Sequence, residues 1–312
     1  MNSLQICLTA ILPIFLITAV GYASKRFGVI REDEVPRINA VAFKIFMPVM
    51  CFYNVYTSDR SSALRPGLML FTVLAILAVY GLSLGYATLF VPERAKRGVV
   101  IQGLYRSNYV ILGMPLAAGL TQDGDIGVAA VMGAVVVPIF NVLAVISLEA
   151  YNGTKPDWRK LLGNIAKNPL ILGNALGILF LLLKLRLPAP VEKAVQDMTR
   201  VTSPLMLFLL GAFFRFNGVR EHRKELIAVC LGRLVLIPAL VLGVAVALGF
   251  REIELITLLA TFASSTAVSS FTMAQQLGGD APLAGDIVVA TSALASFTMF
   301  GWSLLLKMLD LI

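Results

Sequence analysis

The sequence predicts an all-α polytopic membrane protein that crosses the bilayer ten times. Of its 312 residues, 58% are hydrophobic and only 14% are charged, whereas soluble domains average roughly 45–50% and 25%. Apolar runs of about 20 residues, each long enough to span a bilayer, recur along the whole chain. The composition leaves no room for a soluble domain, and the net charge of +8 indicates basic membrane-flanking loops rather than nucleic-acid binding.

Ten apolar segments separated by short polar connections are the candidate spans. The first has no basic leader and no cleavage site, so it is predicted to be a true span rather than a signal peptide. The seventh is short, and residues 188–200 are expected to extend it. The middle of the connection after the fifth span is expected to form a helix on the membrane surface. The predicted spans are 4–24, 35–56, 66–90, 98–120, 126–149, 169–187, 201–216, 225–249, 253–277 and 283–308.

Lysine and arginine counts in the loops predict the orientation in the cell membrane. Loops after spans 1, 3, 5 and 7 hold fourteen basic residues, and loops after spans 2, 4, 6 and 8 hold seven. Because basic loops face the cytoplasm, both termini are predicted to be extracytoplasmic. The fourteen are Lys25, Arg26, Arg31, Arg94, Lys96, Arg97, Lys155, Arg159, Lys160, Lys167, Arg215, Arg220, Arg223 and Lys224; the seven are Arg60, Arg65, Lys184, Arg186, Lys193, Arg200 and Arg251.

The two halves of the chain repeat the same proline and glycine positions. Three residues recur after 156 positions: Pro13 as Pro169, Gly21 as Gly177, and Pro48 as Pro204. Each half holds five predicted spans, so the second copy enters the membrane in the opposite orientation. The sequence thus predicts two inverted five-helix repeats, residues 1–150 and 169–312, joined by a cytoplasmic linker at 151–168. Inverted repeats are a hallmark of secondary transporters.

Spans 4 and 9 occupy matching positions in the two halves, and both are unusually polar. Span 4 contains SNYVILGMPLAAGL, in which Asn108, Gly113 and Pro115 suit a continuous helix in lipid poorly. Near these spans the shift is 155, which matches DGD at 123–125 with GGD at 278–280, and it equates Pro115 with Ser270 of span 9, which has no proline. We expect breaks at Gly113, Pro115 and Ser270, with the half-helices crossing beside a substrate site near the midplane.

Hydroxyl groups are dense in span 9, where they either cap a broken helix or bond back to the preceding turn. As packing devices they would be ordinary in a membrane helix. Their density at a position that matches span 4 favours a binding site. The substrate-binding candidates in span 9 are Ser264, Ser265, Ser269 and Ser270.

Several segments resemble the auxin efflux carrier family, over nearly the whole chain and in the expected order. They are SNYVILGMPL in span 4, AFKIFMPVMCF in span 2, KNPLILGNALGILF in span 6, SPLMLFLLGAFF in span 7, and SSFTMAQQLGGDAPLAGDIVVATSALASF in spans 9 and 10. The resemblance implies a fold similar to those of bile acid symporters and sodium/proton antiporters. Spans 1, 2, 6 and 7 would form a scaffold that mediates homodimerisation. Spans 3–5 and 8–10 would form a transport domain that moves like an elevator and carries crossed helices 4 and 9.

The resemblance also implies a substrate and one of its contacts. Family members of bacterial type are linked to small organic anions such as malate or malonate, and plant members to the indole acid auxin. Trp158 and Trp302 lie away from spans 4 and 9, which favours a small carboxylate over the alternative, an auxin-like aromatic carboxylate. The family asparagine equivalent to Asn108 contacts the carboxylate, although an asparagine here would equally join two helices.

Five further residues are candidates for binding or attracting the anion. Arg106 lies inside span 4, so it needs a partner, a cavity or a substrate, unless its long side chain reaches the cytoplasmic surface. Asn54 and Asn141 supply amides in spans 2 and 5. Lys44 and Arg200 each precede a matched proline by four residues; they either gather anions or anchor their helices at the interface.

Other functional classes lack their sequence signatures. HExxH, GxSxG and nucleotide-binding motifs are missing, and the span 9 serines have no nearby His or Lys to act as a base. We therefore predict no catalytic residue, cofactor or metal site. Arg233 in span 8 has no obvious partner, and the lone histidine, His222, lies in a charged loop. A channel-like facilitator is the alternative to a carrier, although channels rarely show inverted repeats with paired broken spans.

Overall fold

A computed structural model describes residues 3–57, 65–121, 127–152, 158–214 and 221–312, with side chains throughout except at 3–11 and 158–162. The described residues are predominantly helical and form one isolated β-bridge rather than a sheet. By length and composition, five of their helices can cross a membrane: Val35–Tyr56, Pro66–Phe90, Gly127–Tyr151, Arg223–Ala247 and Ala281–Met308. The fold is thus that of a helical membrane protein, as the composition predicts.

We number the helices of the described residues in chain order. They are α1 (Ser3–Arg26), α2 (Val35–Tyr56), α3 (Pro66–Phe90), α4 (Arg94–Tyr105), α5 (Tyr109–Leu120), α6 (Gly127–Tyr151), α7 (Trp158–Lys167), α8 (Pro169–Leu182), α9 (Ala189–Phe213), α10 (Arg223–Ala247), α11 (Glu252–Phe262), α12 (Ser269–Gln276) and α13 (Ala281–Met308). Helices α4 and α5 together correspond to predicted span 4, and α11 and α12 to span 9. Both spans are therefore interrupted, as their polar sequences predict.

The bounds of the other helices follow the predicted spans closely, with one marked difference. Helix α8 ends at Leu182, earlier than predicted, and the chain turns at Lys184 with a φ of 55°. The short seventh span is the second half of α9, whose first half extends it as expected. The predicted linker 151–168 contains the expected helix, α7, although its residues 153–157 lie outside the described part of the chain.

In the described part of the chain, three helices contain a π turn that ends two residues before a proline. The turns are Ala42–Phe46, Tyr109–Gly113 and Gly232–Leu236, and the prolines are Pro48, Pro115 and Pro238. Proline has no N–H, and its ring clashes with the carbonyl four residues back. The wider turn shifts hydrogen bonds to partners five residues back, so each helix continues through its proline.

Helices α1, α2, α8 and α9, here called the four-helix group, pack as two equivalent pairs. Helix α1 packs on α9, where a Cβ added at Gly21 would lie 2.0 Å from the carbonyl oxygen of Phe208. Helix α8 packs on α2, where a Cβ at Gly177 would lie 2.7 Å from the carbonyl oxygen of Phe52. Both members of the contact are related by the 156-residue shift. The internal repeat is therefore visible as one glycine contact made twice.

Helices α3–α6 and α10–α13, here called the crossover group, surround the two helix breaks. Helix α4 packs on α3, α6 and α13, while α12 packs on α13 and α11 packs on α10. Residues on both sides of each break are buried. Irregular backbone at membrane depth is tolerated where protein buries it or where it lines a cavity, and this packing meets that condition.

The two groups of helices contact each other closely on one side of the crossover. Near the start of α2, the Asn39 amide donates to the carbonyl oxygen of Thr272 over 3.3 Å. At the end of α9, the ring of Phe213 lies 5.0 Å from that of Phe271, measured between centroids. We call this side, where α2 begins and α9 ends, the closed face, and the opposite side the open face.

Candidate functional site

The two helix breaks lie side by side and are joined by backbone hydrogen bonds. The N–H of Asn108 donates to the carbonyl oxygen of Ser265 over 2.8 Å, and the N–H of Ala267 donates to that of Arg106 over 3.4 Å. These bonds pair the two segments in antiparallel fashion. They provide partners for backbone groups that would otherwise be unbonded inside the protein, so span 9 breaks without a proline.

Hydroxyl groups of the same segments bond within the crossover. Ser107 Oγ and Ser264 Oγ lie 2.5 Å apart, and Ser292 Oγ donates to Ser265 Oγ over 3.2 Å. Ser264 and Ser265 are fully buried. Their hydroxyl groups therefore hold the two breaks and the neighbouring helix α13 together.

The break positions differ from those predicted. Gly113 ends the π turn of α5, Pro115 follows in the same helix, and Ser270 is the second residue of α12. The first break instead begins after Tyr105, because the π turn accommodates Pro115 within a continuous helix. Gly113 instead allows α5 and α11 to approach closely where they cross, since a Cβ there would lie 2.5 Å from the carbonyl oxygen of Ala260 in α11.

Arg233 of α10 reaches both C-terminal helix ends at the crossover. At the end of α11, Nε donates to Ser264 O over 2.9 Å and Nη2 to Thr261 O over 3.1 Å. At the end of α4, Nη1 lies 3.3 Å from Tyr105 O and 3.4 Å from Leu104 O. A helix C-terminus carries roughly half a negative charge. The two ends together therefore balance the fully buried guanidinium.

Arg106 is a second buried guanidinium, and its hydrogen-bond partners are neutral. Nη1 donates to Gln102 Oε1 over 3.0 Å and lies 2.8 Å from the Met273 sulfur, while Nη2 donates to Asn141 Oδ1 over 2.7 Å. Within the described chain, its guanidinium forms no ion pair with a carboxylate. The residue is 3% exposed, so it points into the protein rather than to the membrane surface.

Asn108 precedes α5 and brings a donor without a partner to the same place. The residue is buried, and its Nδ2 has no hydrogen-bond partner among the described residues. Leaving such a group unsatisfied costs roughly 1–3 kcal/mol, and folded proteins contain few of them. An orphaned donor at the edge of a cavity is a candidate contact for a ligand.

A cavity beside the crossover holds about 570 Å³ of empty space, including its mouth. It lies between the four-helix group and the crossover group. Its polar lining consists of Asn54, Arg106, Ser107, Asn108, Asn141, Ser203 and Ser269, and its apolar lining includes Met47, Met50, Cys51, Val137, Phe140 and Met206. The lining is therefore mostly apolar with one buried cation.

The cavity opens away from the closed face. On α2, the lining runs from Met47 to Asn54 toward the end of the helix, whereas Asn39 near its start contacts α12. At the start of α5, Val110 lines the cavity and is 39% exposed. The cavity is therefore accessible from the open face, the side on which α2 ends and α9 begins.

The structure brings together some of the predicted site residues and separates others. Those that line the cavity are Asn54, Arg106, Asn108, Asn141 and Ser269. Those outside the lining are Lys44, Arg200, Ser264, Ser265 and Ser270. Lys44 and Arg200 are exposed, and Arg200 lies 3.9 Å from Asp197. The predicted basic pair therefore contributes nothing to the cavity in this conformation.

Two buried contacts could not be read from the sequence. The four carbonyl partners of Arg233 lie 28 to 129 positions away from it. His222 Nδ1 lies 2.8 Å from Asp286 Oδ2 and ties the start of α10 to α13, a contact across 64 positions. The described residues contain no group of three or more His, Cys, Asp or Glu side chains that could hold a metal ion.

Comparison with known proteins gives consistent matches along the chain. A family model described as membrane transport protein matches residues 6–157 and again residues 157–303. A protein of Methanocaldococcus jannaschii named as an uncharacterized transporter is 24% identical over 312 residues, which cover 96% of this chain and 100% of that protein. A second uncharacterized transporter, from Methanothermobacter thermautotrophicus, is 21% identical over 301 residues, covering 95% and 97%. The two matched ranges meet close to the boundary between the two halves.

Proposed function

Because the chain belongs to the membrane transport protein family, that of the auxin efflux carriers, we propose that it is a secondary carrier of a small organic anion. One observation carries the proposal. The buried guanidinium of Arg106 has only neutral partners, and it shares a cavity with the unpaired amide of Asn108. Both groups are hydrogen-bond donors, and the guanidinium carries a full positive charge.

The charges around the crossover support an anion. Arg233 occupies the negative ends of α4 and α11. The positive ends of α5 and α12 begin at the cavity, where Tyr109 and Ser269 are lining residues. Helix N-termini and guanidinium groups both bind carboxylates, with charge-assisted hydrogen bonds of about twice the ordinary strength. A carboxylate would thus satisfy Arg106, Asn108 and the helix ends together.

The lining supports a particular kind of carboxylate. Methionine and other apolar side chains face most of the cavity, and Arg106 is the one cation among its lining residues. A second carboxylate on the same substrate would find no partner charge there and would be costly to bury. We therefore favour a monocarboxylate with an apolar body. The auxin-like aromatic acid is the second candidate, because Phe140 and the methionines suit a ring.

The proposed mechanism is alternating access by an elevator motion. The four-helix group would be the scaffold, also of a homodimer, and the crossover group the moving transport domain. The two halves would be inverted repeats, as the loop charges and the reciprocal glycine contacts support. The distribution of basic residues among the loops supports an open face outside the cytoplasm, and the described conformation would then be outward-facing.

A binding and uptake screen tests the proposal. Purified protein would be tested by thermal shift, and proteoliposomes by uptake, with α-ketoisocaproate, malonate, indole acetate and the uncharged indole acetamide. We expect α-ketoisocaproate or indole acetate to bind, and the amide to fail. Arg106→Gln should strongly reduce the shift, whereas Lys307→Gln, which removes an exposed cation of α13, should retain it. Equal binding of indole acetate and indole acetamide would reject an anion carrier. Failure of all the acids to bind would reject it as well.

The same proteoliposomes separate a carrier from a channel-like facilitator. A carrier saturates and supports counterflow, in which unlabelled substrate inside the vesicles drives transient accumulation of labelled substrate. A channel would let the label equilibrate without accumulation. Non-saturating flux that unlabelled acid does not affect would therefore favour the channel.

A further inference from the structure

We infer that this protein works mainly as an anion exchanger, in which the crossover group moves fast only when an anion neutralises Arg106. The inference rests on the proposed function and goes beyond it, because a carrier of the same anion could equally return empty. It concerns the empty form, which must carry the charge of Arg106 past the four-helix group without a counterion.

The two buried arginines of the crossover differ in how their charges are balanced. Arg233 contacts carbonyl groups at two helix C-termini, each carrying roughly half a negative charge. Arg106 contacts two amide oxygens and one thioether, none of which carries a net charge. One guanidinium is therefore neutralised by the fold, and the other is not.

No described acidic residue is placed to take over as counterion of Arg106. The cavity lining contains no Asp or Glu. Asp286 is the one buried carboxylate in the described part of the chain. Its Oδ2 already lies 2.8 Å from Nδ1 of His222, the residue just before α10. The empty crossover group thus keeps an uncompensated positive charge at the cavity.

The surface that the site would pass is apolar. Met47, Met50, Cys51 and Met206 line the cavity on the side of the four-helix group. The polar residues that accompany them, Asn54 and Ser203, are uncharged. An isolated cation that passes this surface loses its water and gains no charge partner. With a bound carboxylate, the site passes as a neutral pair.

The expected consequence is a slow empty return. The insertion penalty of an unpaired arginine at the membrane centre corresponds to a rate factor on the order of 100-fold. Substrate should therefore leave loaded vesicles quickly when external anion is available for the return step, and slowly when it is not. Exchange would be fast and net transport slow.

The test compares exchange with net efflux in proteoliposomes loaded with labelled α-ketoisocaproate, or with labelled malonate or indole acetate where the thermal shift selects those acids. The external medium contains the same unlabelled acid, chloride, or neither, with the potassium salt of a bulky sulfonate as background. Potassium and valinomycin are present in every case, so that a membrane potential does not limit net efflux. We expect the unlabelled acid to accelerate efflux on the order of 100-fold. Acceleration by chloride alone would support the inference as well, since chloride then neutralises Arg106. Efflux at one rate in all media would overturn the inference. The proposed function would still stand in that case, provided that the acid binds.

Variants distinguish charge from a structural effect. Arg106→Gln lowers affinity, but it should bring the ratio of exchange to net efflux close to one, because its empty site is neutral. Arg106→Lys keeps the charge and should keep the ratio high, and it also serves if the glutamine variant does not fold. Lys307→Gln should match the parent protein. A high ratio in folded Arg106→Gln would overturn the inference. Failure of all three acids to bind would instead reject the proposed function.

Discussion

The backbone N–H of Asn108 donates to the carbonyl oxygen of Ser265 over 2.8 Å, which ties the start of α5 to the segment before α12. The side-chain amide of the same residue has no partner for its Nδ2 and borders the cavity. One residue thus belongs to both the framework of the crossover and the candidate site. Substitution of its side chain leaves the backbone bond available, so binding and folding can be measured separately.

Asn108→Ala is expected to weaken carboxylate binding about 10- to 150-fold, because a hydrogen bond to a charged group contributes roughly 1.5–3 kcal/mol. Asn108→Asp should bind more weakly still, since it brings two carboxylates together. Isothermal titration of folded, monodisperse protein measures the effect. Asn174→Ala, which removes a buried asparagine of α8 outside the cavity lining, should leave affinity unchanged. Unaltered affinity in Asn108→Ala would remove this residue from the site.

Arg233→Met is expected to destabilise the fold by about 3–5 kcal/mol, because it leaves carbonyls at two buried helix ends without a donor. Arg233→Lys should lose less, since an ammonium reaches some of the same carbonyls. Denaturant unfolding in detergent measures the free energy. Arg251→Met is the control, because Arg251 also donates to carbonyls but is exposed, and its loss should stay within about 0.5 kcal/mol. Equal losses at the two sites would contradict the role given to Arg233.

Gly21→Ala should destabilise the protein by about 1–3 kcal/mol, because the added methyl overlaps the Phe208 carbonyl and forces α1 and α9 apart. Gly243→Ala in α10 is the matched control. A Cβ there meets nothing within 4 Å, so the higher helix propensity of alanine should stabilise by up to about 1 kcal/mol. Melting temperatures of the two variants should therefore move in opposite directions.

Hydropathy predicted the helices because it depends on local composition and length. The break positions could not be predicted in the same way. Proline at position 115 signals a break locally, but the π turn before it preserves the helix, and the interruption lies where partner backbone is available at Ser265. That partner is distant in sequence, so only the packed structure reveals it.

The same limit applies to the site. Arg106 and Asn108 were recognisable because polar side chains at membrane depth need a partner. Ser264 and Ser265 looked similar, yet their hydroxyls are used by neighbouring serines. Lys44 and Arg200 are equivalent in the repeat, but α2 begins at the closed face and α9 ends there. Equivalent residues therefore lie toward opposite faces of the crossover.

The orientation of the chain can be tested by cysteine labelling in intact cells. Val29 follows α1 in a basic loop and is 77% exposed, while Ala189 begins α9 on the open face and is also exposed. In a background without Cys7, Cys51 and Cys230, an impermeant maleimide should label Ala189→Cys at once. Val29→Cys should react only after permeabilisation. The reverse pattern would invert the topology and the assignment of the open face.

Motion between the two helix groups can be tested at the closed face. Asn39 donates to Thr272 across this boundary, so Asn39→Cys and Thr272→Cys together should be joined by a short thiol cross-linker. We expect uptake to stop on cross-linking and to recover on cleavage of a reducible linker, because an elevator must separate these residues. Each single-cysteine variant, treated identically, controls for modification alone. Full uptake by the cross-linked protein would rule out the motion.

The reciprocal contact between Gly21 and Phe208, and between Gly177 and Phe52, makes each half of the chain self-complementary. Two copies of one half would present the same glycine and the same carbonyl group to each other. An ancestral gene encoding a single half could therefore have built this interface as a pair of identical subunits. Fusion of two such genes would have required a linker but no new surface, and each half would then have been free to diverge, as at Pro115 and its counterpart Ser270.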